Sequence, residues 1–293
     1  MAKAKALDKR RKSIQNIRKI TRTMELVSTA QFRRAMERAI AADAYTKRIV
    51  ALVSDLAKAG LDVSHPLLDE RQSKKRAVLL VLTANRGMCG GYNGGVLRAA
   101  FARFRQLSDE YDEVELFVSG KRGISFMKYR KIELARSFVQ FDHKPTFEET
   151  NEVANELLDR YLTGEIDRLD VAYTRFVSLS KQYPTAETLL PLASMTTETE
   201  VSEEKRTENE YEFLPSPRSI LEEVVPNAFK IKMFKCFLDA AVGEQIARMV
   251  AMKAATENAD SMISALTTTY NRARQAQITN EIIEVISGAS ALN

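Results

Sequence analysis

The chain begins with a long stretch in which apolar residues recur at helical spacing. Residues 5–58 contain neither glycine nor proline, and Gly60 and Pro66 then form a typical helix-ending pair. A helix of this length would extend roughly 80 Å. A narrow apolar stripe runs through Leu7, Ile14, Ile17, Ile20, Met24 and Val27. Its steps of three, four and seven residues predict a coiled-coil seam rather than a fully buried helix.

A second long helix is predicted from Pro226 to Ser287. Its seam alternates steps of four and three through Leu238, Val242, Gln245, Met249, Met252, Thr256, Ala259, Ile263, Leu266, Tyr270 and Ala273. Beyond Ala273 this register becomes polar, and a different stripe follows: Ile278, Ile282, Val285 and Ile286. The change predicts that the last 20 residues leave the seam and meet another surface. Two such helices favour an antiparallel pair, although unrelated helices or pairing with a second copy would give the same heptads.

The middle of the chain alternates between strand-like and helix-like patterns. The predicted strands are 77–83, 114–119 and 171–178, and the predicted helices are 95–107, 123–129 and 147–162. This order favours a small open α/β sheet with parallel neighbours and helices on both faces. Residues 196–210 are polar and acidic, which is typical of a linker.

Charge is distributed unevenly along the chain. Residues 1–48 contain 14 Lys or Arg and four Asp or Glu, whereas the whole chain has a net charge of +5. A basic arm of this kind predicts an acidic partner, which could be nucleic acid, a membrane surface or a protein. The longest aliphatic run, residues 77–82, is far shorter than the roughly 20 residues of a membrane span. The N-terminus has no apolar signal core, so we expect a protein made and kept in a bacterial cytoplasm.

Residues that could support catalysis or ligand binding are few. The glycine-rich loop 85–95 follows the first strand, where backbone N–H groups could bind phosphate, but it has neither G-x-G-x-x-G nor G-K-[ST]. His65 and His143 lie in turns without a nucleophile motif, and Cys89 and Cys236 have no metal-site spacing. We therefore predict no catalytic residue, cofactor or metal, and a self-contained enzyme is disfavoured.

The C-terminal residues 278–290 read ITNEIIEVISGAS, which closely resembles the signature of the gamma subunit of F-type ATP synthases. Three further segments carry the resemblance: QIARMVAMKAATENA at 245–259, TYNRARQA at 269–276 and RKITRTMELV at 18–27. The loop NRGMCGGYN at 85–93 is similar too, with Asn85 where Asp is usual in the family. The resemblance covers the whole chain and is least distinctive around residues 196–210.

The resemblance implies a fold and a function. The fold is an α/β chain with a long antiparallel coiled coil of its N- and C-terminal helices and a central Rossmann-like open α/β domain that binds no dinucleotide. The organisation expected is an N-terminal coiled-coil helix at 1–60, the central domain at 75–195, an acidic linker and foot at 196–225, and a C-terminal helix with a projecting tip at 226–293. The implied role is a non-catalytic rotor shaft that couples proton-driven rotation of the membrane c-ring to ATP synthesis in the beta subunits.

The resemblance also implies partners and contact residues. The partners are the alpha and beta subunits, the epsilon subunit and the c-ring, on the cytoplasmic side of a bacterial membrane and without nucleic acid. Arg274 and Gln275 match the family pair that contacts a beta loop, and Met24 and Arg248 match coupling positions lower on the shaft. The tip residues that would face an apolar sleeve of alpha and beta subunits are Ile278, Ile282 and Ile286. The residues that align with the foot near the c-ring and epsilon are Tyr211 and Phe213.

Two other function classes remain open from the sequence. An enzyme with a Rossmann-like nucleotide domain would bind a nucleotide as an isolated chain. A basic coiled-coil adaptor would bind DNA or anionic vesicles through residues 1–60 in a salt-dependent way. The change of stripe near Ala273 favours the rotor, because neither alternative needs a projecting helical tip.

Overall fold

A computed structural model describes residues 2–58, 66–68, 71, 73–142, 144–192 and 217–290. Its elements are α1 (Ala2–Lys58), β1 (Arg76–Leu82), α2 (Tyr92–Glu110), β2 (Glu113–Ser119), α3 (Lys121–Tyr129), β3 (Arg136–Phe138), α4 (Phe147–Leu162), β4 (Arg168–Ser178), β5 (Lys181–Leu190) and α5 (Pro217–Ser290). The chain divides into two compact units. We name Met1–Thr29 with Arg248–Asn293 the paired-helix unit, and Ala30–Ala247 the sheet unit.

The sheet has five strands in the order β3-β2-β1-β4-β5. β1 pairs in parallel with both β2 and β4, as predicted, and β2 pairs in parallel with β3. β4 and β5 form an antiparallel hairpin that the sequence analysis missed, as it missed β3. β3 is only three residues long, and β5 is a half-exposed edge strand containing Pro184, so neither has a clear strand pattern.

β1 is buried on both faces because helices cover the sheet on each side. Its alternate residues enter two separate hydrophobic cores. Val78 and Leu80 pack in one core with Leu157 of α4 and Phe229 of α5. The opposite core contains Leu79, Val81, Val96, Leu97 and Met127. This double coverage explains the uninterrupted apolar run of β1.

Helix α4 has the same bounds as predicted, and its start is fixed by a capping box. The Thr146 side chain accepts a hydrogen bond from the Glu149 backbone N–H, and the Glu149 carboxylate accepts one from the Thr146 N–H. This reciprocal pair satisfies donors that a helix start leaves free.

The C-terminal helix begins at Pro217 rather than at the predicted Pro226, which lies inside it. An internal proline costs a helix about 3 kcal/mol because it removes a backbone donor and crowds the preceding turn. Val225 and Phe229 flank it and are fully buried in the sheet unit. Burial of each such side chain contributes about 1.5–3 kcal/mol, which offsets that cost.

Within the sheet unit, α1 also packs against α5. Phe32, Ala35 and Ala39 of α1 form one buried cluster with Leu238, Val242 and Ile246 of α5. The alanines allow the two helices to approach closely, and the antiparallel direction of the contact matches the prediction for the terminal helices.

Candidate interaction surface on the paired helices

Three contacts define how α1 and α5 pair in the paired-helix unit. Arg18 Nε lies 2.7 Å from Asp260 Oδ1, and the Thr21 and Thr256 hydroxyl oxygens lie 2.8 Å apart. Arg11 stacks over the Tyr270 ring with 5.0 Å between the guanidinium carbon and the ring centroid. Residue numbers rise on α1 while they fall on α5. The antiparallel pair that the heptads allowed and the resemblance implied is therefore confirmed.

The seam on α5 is the predicted one. In the paired-helix unit Met252, Thr256 and Ala259 are buried, and Ile263, Leu266, Tyr270 and Ala273 are half-buried. From residue 278 to residue 288, by contrast, every side chain is exposed. Ile278, Ile282 and Ile286 therefore form an apolar stripe that no described residue of the chain covers.

The predicted stripe on α1 is partly wrong. Leu7, Ile14 and Met24 are half-buried, but Ile17, Ile20 and Val27 are 46%, 59% and 49% exposed. The residues buried in their place are Thr21 and Ser28. The seven-residue period that starts at Leu7 and Ile14 continues through these two polar residues, whereas the apolar stripe drifts off the seam. The result is an exposed apolar strip along one side of α1.

The four residues expected to contact a beta subunit occupy different environments. Arg274 and Gln275 are exposed, Met24 is half-buried, and Arg248 is only 6% exposed. Arg248 and Arg274 are about 39 Å apart along the continuous α5. The four residues therefore form no single patch, and the Arg248 guanidinium has little surface to offer another protein. Tyr211 and Phe213 lie outside the described residues.

The glycine-rich loop of the sheet unit serves chain packing. The Asn93 side-chain oxygen accepts a hydrogen bond from the Ala84 N–H at 2.9 Å. The Asn85 amide donates to the Phe141 carbonyl at 2.8 Å, and its oxygen accepts from the Lys121 N–H at 3.0 Å. The polar side chains of this loop thus tie together the segments around the carboxyl ends of the strands.

That end of an open α/β sheet is where such folds bind ligands, and α5 fills it here. Phe237, Ala240, Ala241 and Glu244 line a remaining cavity of about 20 Å3, enough for one water molecule. The Tyr92 hydroxyl donates to the Ala240 carbonyl at 3.0 Å. A cavity of this size has no room for a dinucleotide.

Gly243 allows this close approach of α5. A Cβ at this position would lie 2.9 Å from Thr174 Cγ2 and 3.5 Å from the Tyr92 ring. The one glycine inside the predicted helix is therefore a packing requirement, since any side chain would push α5 away from β4.

A buried polar cluster joins β4, β5 and α5, and the sequence analysis missed it. The Tyr173 hydroxyl donates to Glu187 Oε1 at 2.9 Å, and the Cys236 thiol donates to the same oxygen at 3.4 Å. Burial raises the pKa of both donor groups well above their ordinary values. Both therefore keep their protons at neutral pH. A signal was available in the sequence, because Lys235, Cys236 and Asp239 are the residues that interrupt an otherwise apolar stretch at 233–243.

The same region contains an acid–base pair. Lys235 Nζ lies 2.6 Å from Asp239 Oδ1 and 3.5 Å from Asp43 Oδ1. Burial raises the pKa of Asp239 to about 6, although the nearby Lys235 ammonium opposes the shift.

Two kinds of feature are absent from the described residues: a membrane-spanning helix and a metal site. No helix among them is both long and apolar enough to cross a bilayer. No group of three or more His, Cys, Asp or Glu side chains among them is placed to hold a metal ion.

Comparisons with known proteins identify the family. A family model described as ATP synthase matches residues 3–292. The ATP synthase gamma chain of Rhodopirellula baltica is 56% identical over 294 residues, covering 100% of this chain and 99% of that protein. The ATP synthase gamma chain of Leptospira biflexa is 39% identical over 293 residues, with 100% of both proteins covered.

Solved structures show the same fold. A chain from the Euglena gracilis mitochondrial ATP synthase, determined as an OSCP/F1/c-ring assembly, superposes with a TM-score of 0.66. It is 17% identical, and the match covers 99% of this chain and 95% of that chain. The fold class and the family predicted from the sequence are confirmed: the chain belongs to the gamma-chain family of ATP synthases.

Proposed function

We propose that the chain is the central rotor shaft of an ATP synthase and has no catalytic site of its own. It transmits rotation of a membrane c-ring to the catalytic beta subunits. The observation that carries this proposal is the pair of long antiparallel helices whose seam fades near Ala273. Beyond it a single helix presents exposed isoleucines. A stripe of exposed isoleucines on a single helix is typical of a surface that other subunits cover.

The shaft acts through differential contact. Three chemically identical beta subunits around one asymmetric shaft each face a different side of it. The shaft angle then favours the open or closed conformation of each beta subunit according to the contacts that each conformation makes. The chain's own contribution is shape and charge.

Charge complementarity supports contact with acidic surfaces. Residues 1–48 carry the excess of basic side chains, and many of these side chains on α1 are exposed, including Lys9, Lys12, Lys19 and Arg33. We assign them to acidic faces of the beta subunits, where charge-assisted contacts are stronger than neutral ones. No described feature favours the nucleic-acid adaptor.

The proposed contact residues follow from their exposure. Arg274 and Gln275, both exposed, contact a beta loop directly. Met24 is half-buried, and the exposed part of its uncharged side chain contacts a beta subunit. Arg248 is buried, so it acts by stabilising the pairing of the two helices. Ile278, Ile282 and Ile286 lie in a sleeve formed by alpha and beta subunits.

The role of the foot segment, residues 196–225, is proposed from the family resemblance. Residues 196–225 form the foot, in which Tyr211 and Phe213 contact the epsilon subunit and the c-ring. The chain is thereby attached peripherally to the cytoplasmic side of a bacterial membrane, through the complex to which it belongs.

Co-assembly tests the proposal. The chain is mixed with its cognate alpha and beta subunits, and particle mass and Mg-ATP hydrolysis are followed. We expect one copy per three alpha and three beta subunits, with hydrolysis above that of the alpha–beta mixture. A matched variant with Ile278, Ile282 and Ile286 all replaced by serine should assemble more weakly, while replacement of the exposed polar Thr268, Asn271 and Arg272 by serine should not. Failure to assemble where alpha and beta do so would contradict the proposal.

A further inference from the structure

The seam of the paired-helix unit buries hydroxyl groups where larger apolar side chains are available. Thr21 and Ser28 are buried, whereas Ile20 and Val27, one position earlier on α1, are exposed. Burial of apolar area alone would favour turning α1 by up to about 100°, the angle between successive residues of an α-helix, so that the larger residues are covered. A directional interaction must favour the observed arrangement.

Such an interaction links the two helices at Thr21 and Thr256. Thr256 Oγ1 donates to Thr21 Oγ1 at 2.8 Å, and Thr21 Oγ1 donates onward to the Arg18 carbonyl at 3.1 Å. Thr256 Oγ1 also lies 2.9 Å from the Met252 carbonyl oxygen. Both side chains are buried, so water does not compete for the bond. The interhelical bond forms only when residues 21 and 256 lie at the same height.

The apolar side chains next to the two threonines discriminate weakly between registers. Met24 and Met252 are flexible side chains that adapt to different neighbours, and Ala259 offers little shape to interlock. Slippage by one heptad would leave these layers similarly packed. It would place Thr21 opposite Met249 or Ile263, and the interhelical hydrogen bond would be lost.

The charged contacts beside the threonines disfavour the same slips. Arg18 pairs with Asp260 in the observed register at 2.7 Å. A slip of one heptad in one direction would bring Arg18 to Lys253, which has the same charge, and in the other direction to Thr267.

We propose that the Thr21–Thr256 hydroxyl pair, reinforced by Arg18–Asp260, fixes the axial register of α1 against α5 within the paired-helix unit. A polar layer within a seam of apolar residues is a device by which coiled coils specify register. A further consequence rests on the proposed shaft function. The register sets the height of Arg274 and Gln275 relative to α1, so the two threonines are positioning residues for coupling.

Disulfide mapping in the full chain, assembled with alpha and beta subunits, tests the register. The chain has both native cysteines replaced by alanine. Ile14→Cys with Ile263→Cys reports the observed register, because each position is one heptad beyond the threonine pair on its helix. Leu7→Cys with Ile263→Cys, and Ile14→Cys with Tyr270→Cys, report slips of one heptad in the two directions.

The test variant is Thr21→Val with Thr256→Val, which keeps side-chain shape and removes both hydroxyls. The control is Thr21→Ser with Thr256→Ser, which keeps both hydroxyls. We expect the valine variant to lower the ratio of observed-register to slipped cross-links about fivefold, the factor corresponding to one net hydrogen bond, while the serine control keeps it. An unchanged ratio in the valine variant would overturn the register assignment.

The consequence for coupling is measured separately, in the holoenzyme with its native cysteines. We expect the number of protons pumped per ATP hydrolysed to fall in the valine variant and to hold in the serine control. A changed cross-link pattern with unchanged pumping would overturn the coupling role alone. Failure of the unsubstituted chain to assemble would instead contradict the proposed function, so the two failures are distinguishable.

Discussion

In the sheet unit, β1 is covered on both faces and its side chains enter two large cores, whereas the paired-helix unit has one narrow seam with many half-buried residues. Among the described residues of the sheet unit, the side chains of β1 and of the helices facing it are thus buried within the unit itself. The paired-helix unit leaves Ile17, Ile20 and the tip isoleucines exposed. This difference is what a shaft requires, since a body must be stable alone while a contact surface must remain available to other subunits.

The largest expected effect on stability comes from truncating a side chain in the core. The same truncation at the exposed tip should have almost no effect. Leu80→Ala removes a fully buried side chain between helices and should lower the free energy of unfolding by about 3–5 kcal/mol. Ile282→Ala, an equivalent truncation on the exposed tip, should change it by less than about 0.5 kcal/mol. Urea denaturation of the isolated chain measures both, and equal losses would contradict the contrast.

A pH effect of similar size should come from Asp239 in the sheet unit. Burial raises its folded-state pKa to about 6 from an ordinary 3.8, so the folded chain holds this proton more tightly than the unfolded chain does. Below about pH 4 this pKa difference leaves the free energy of unfolding unchanged. Above about pH 6 it lowers the free energy of unfolding by on the order of 3 kcal/mol.

Asp239→Asn should therefore gain stability relative to the unsubstituted chain as pH rises from 4 to 7. Loss of the Lys235 contact adds an offset to the difference, but the rise with pH remains. Urea midpoints across this range measure the difference, with exposed Glu257→Gln as the substitution control. A difference that stayed flat or fell with rising pH would contradict the assignment.

A smaller effect should arise where α5 approaches the sheet. Gly243→Ala places a Cβ 2.9 Å from Thr174 Cγ2, and we expect a loss of about 1–2 kcal/mol from overpacking. Gly94→Ala is the matched control in α2, where the added Cβ would meet only the end of Arg98 at 3.6 Å. That change should stabilise by about 0.5 kcal/mol through helix propensity. Thermal unfolding compares the two, and a stable Gly243→Ala chain would show that α5 can shift freely.

The smallest effect on stability should accompany a large effect on coupling. Met24→Lys alters a half-buried position whose long side chain can extend to water, so we expect a stability loss of about 1 kcal/mol or less. Proton pumping by the assembled enzyme should fall more than ATP hydrolysis does, because the added charge disturbs an uncharged fit. Thr23→Lys, on the exposed side of α1, is the control. Equal loss of pumping and hydrolysis would argue against a coupling role.

The sequence analysis predicted the repetitive parts of the fold well, because their signals are local. Strands and helices of the central region were placed within three residues of their observed bounds. The heptads of α5 predicted both its seam and the exposed stripe that begins at Ile278. β3 and β5 were missed because a very short strand and a half-exposed edge strand lack a distinctive apolar pattern.

The candidate contact residues came from the family resemblance, and the structure gives only their exposure. Arg274 and Gln275 lie on α5 beyond the end of the seam, and both are exposed. The burial of Arg248 was not predicted. From the sequence alone, a charged residue beside a seam is expected to be exposed, because the residues that cover it belong to other parts of the chain. The Glu187–Tyr173–Cys236 cluster was missed for a similar reason, because its members come from three separate elements.

The sequence by itself determined the family, the two long helices, the alternating middle region and the point at which the α5 seam ends. Each of these is carried by a local motif or by the spacing of residues on one helix or strand. The tertiary structure alone decided which face of α1 pairs with α5, at what register, and how α5 fills the edge of the sheet. These outcomes depend on what lies opposite. Ile20 is more hydrophobic than Thr21, yet Thr21 is the residue that is buried, with its hydroxyl bonded across the helices to that of Thr256.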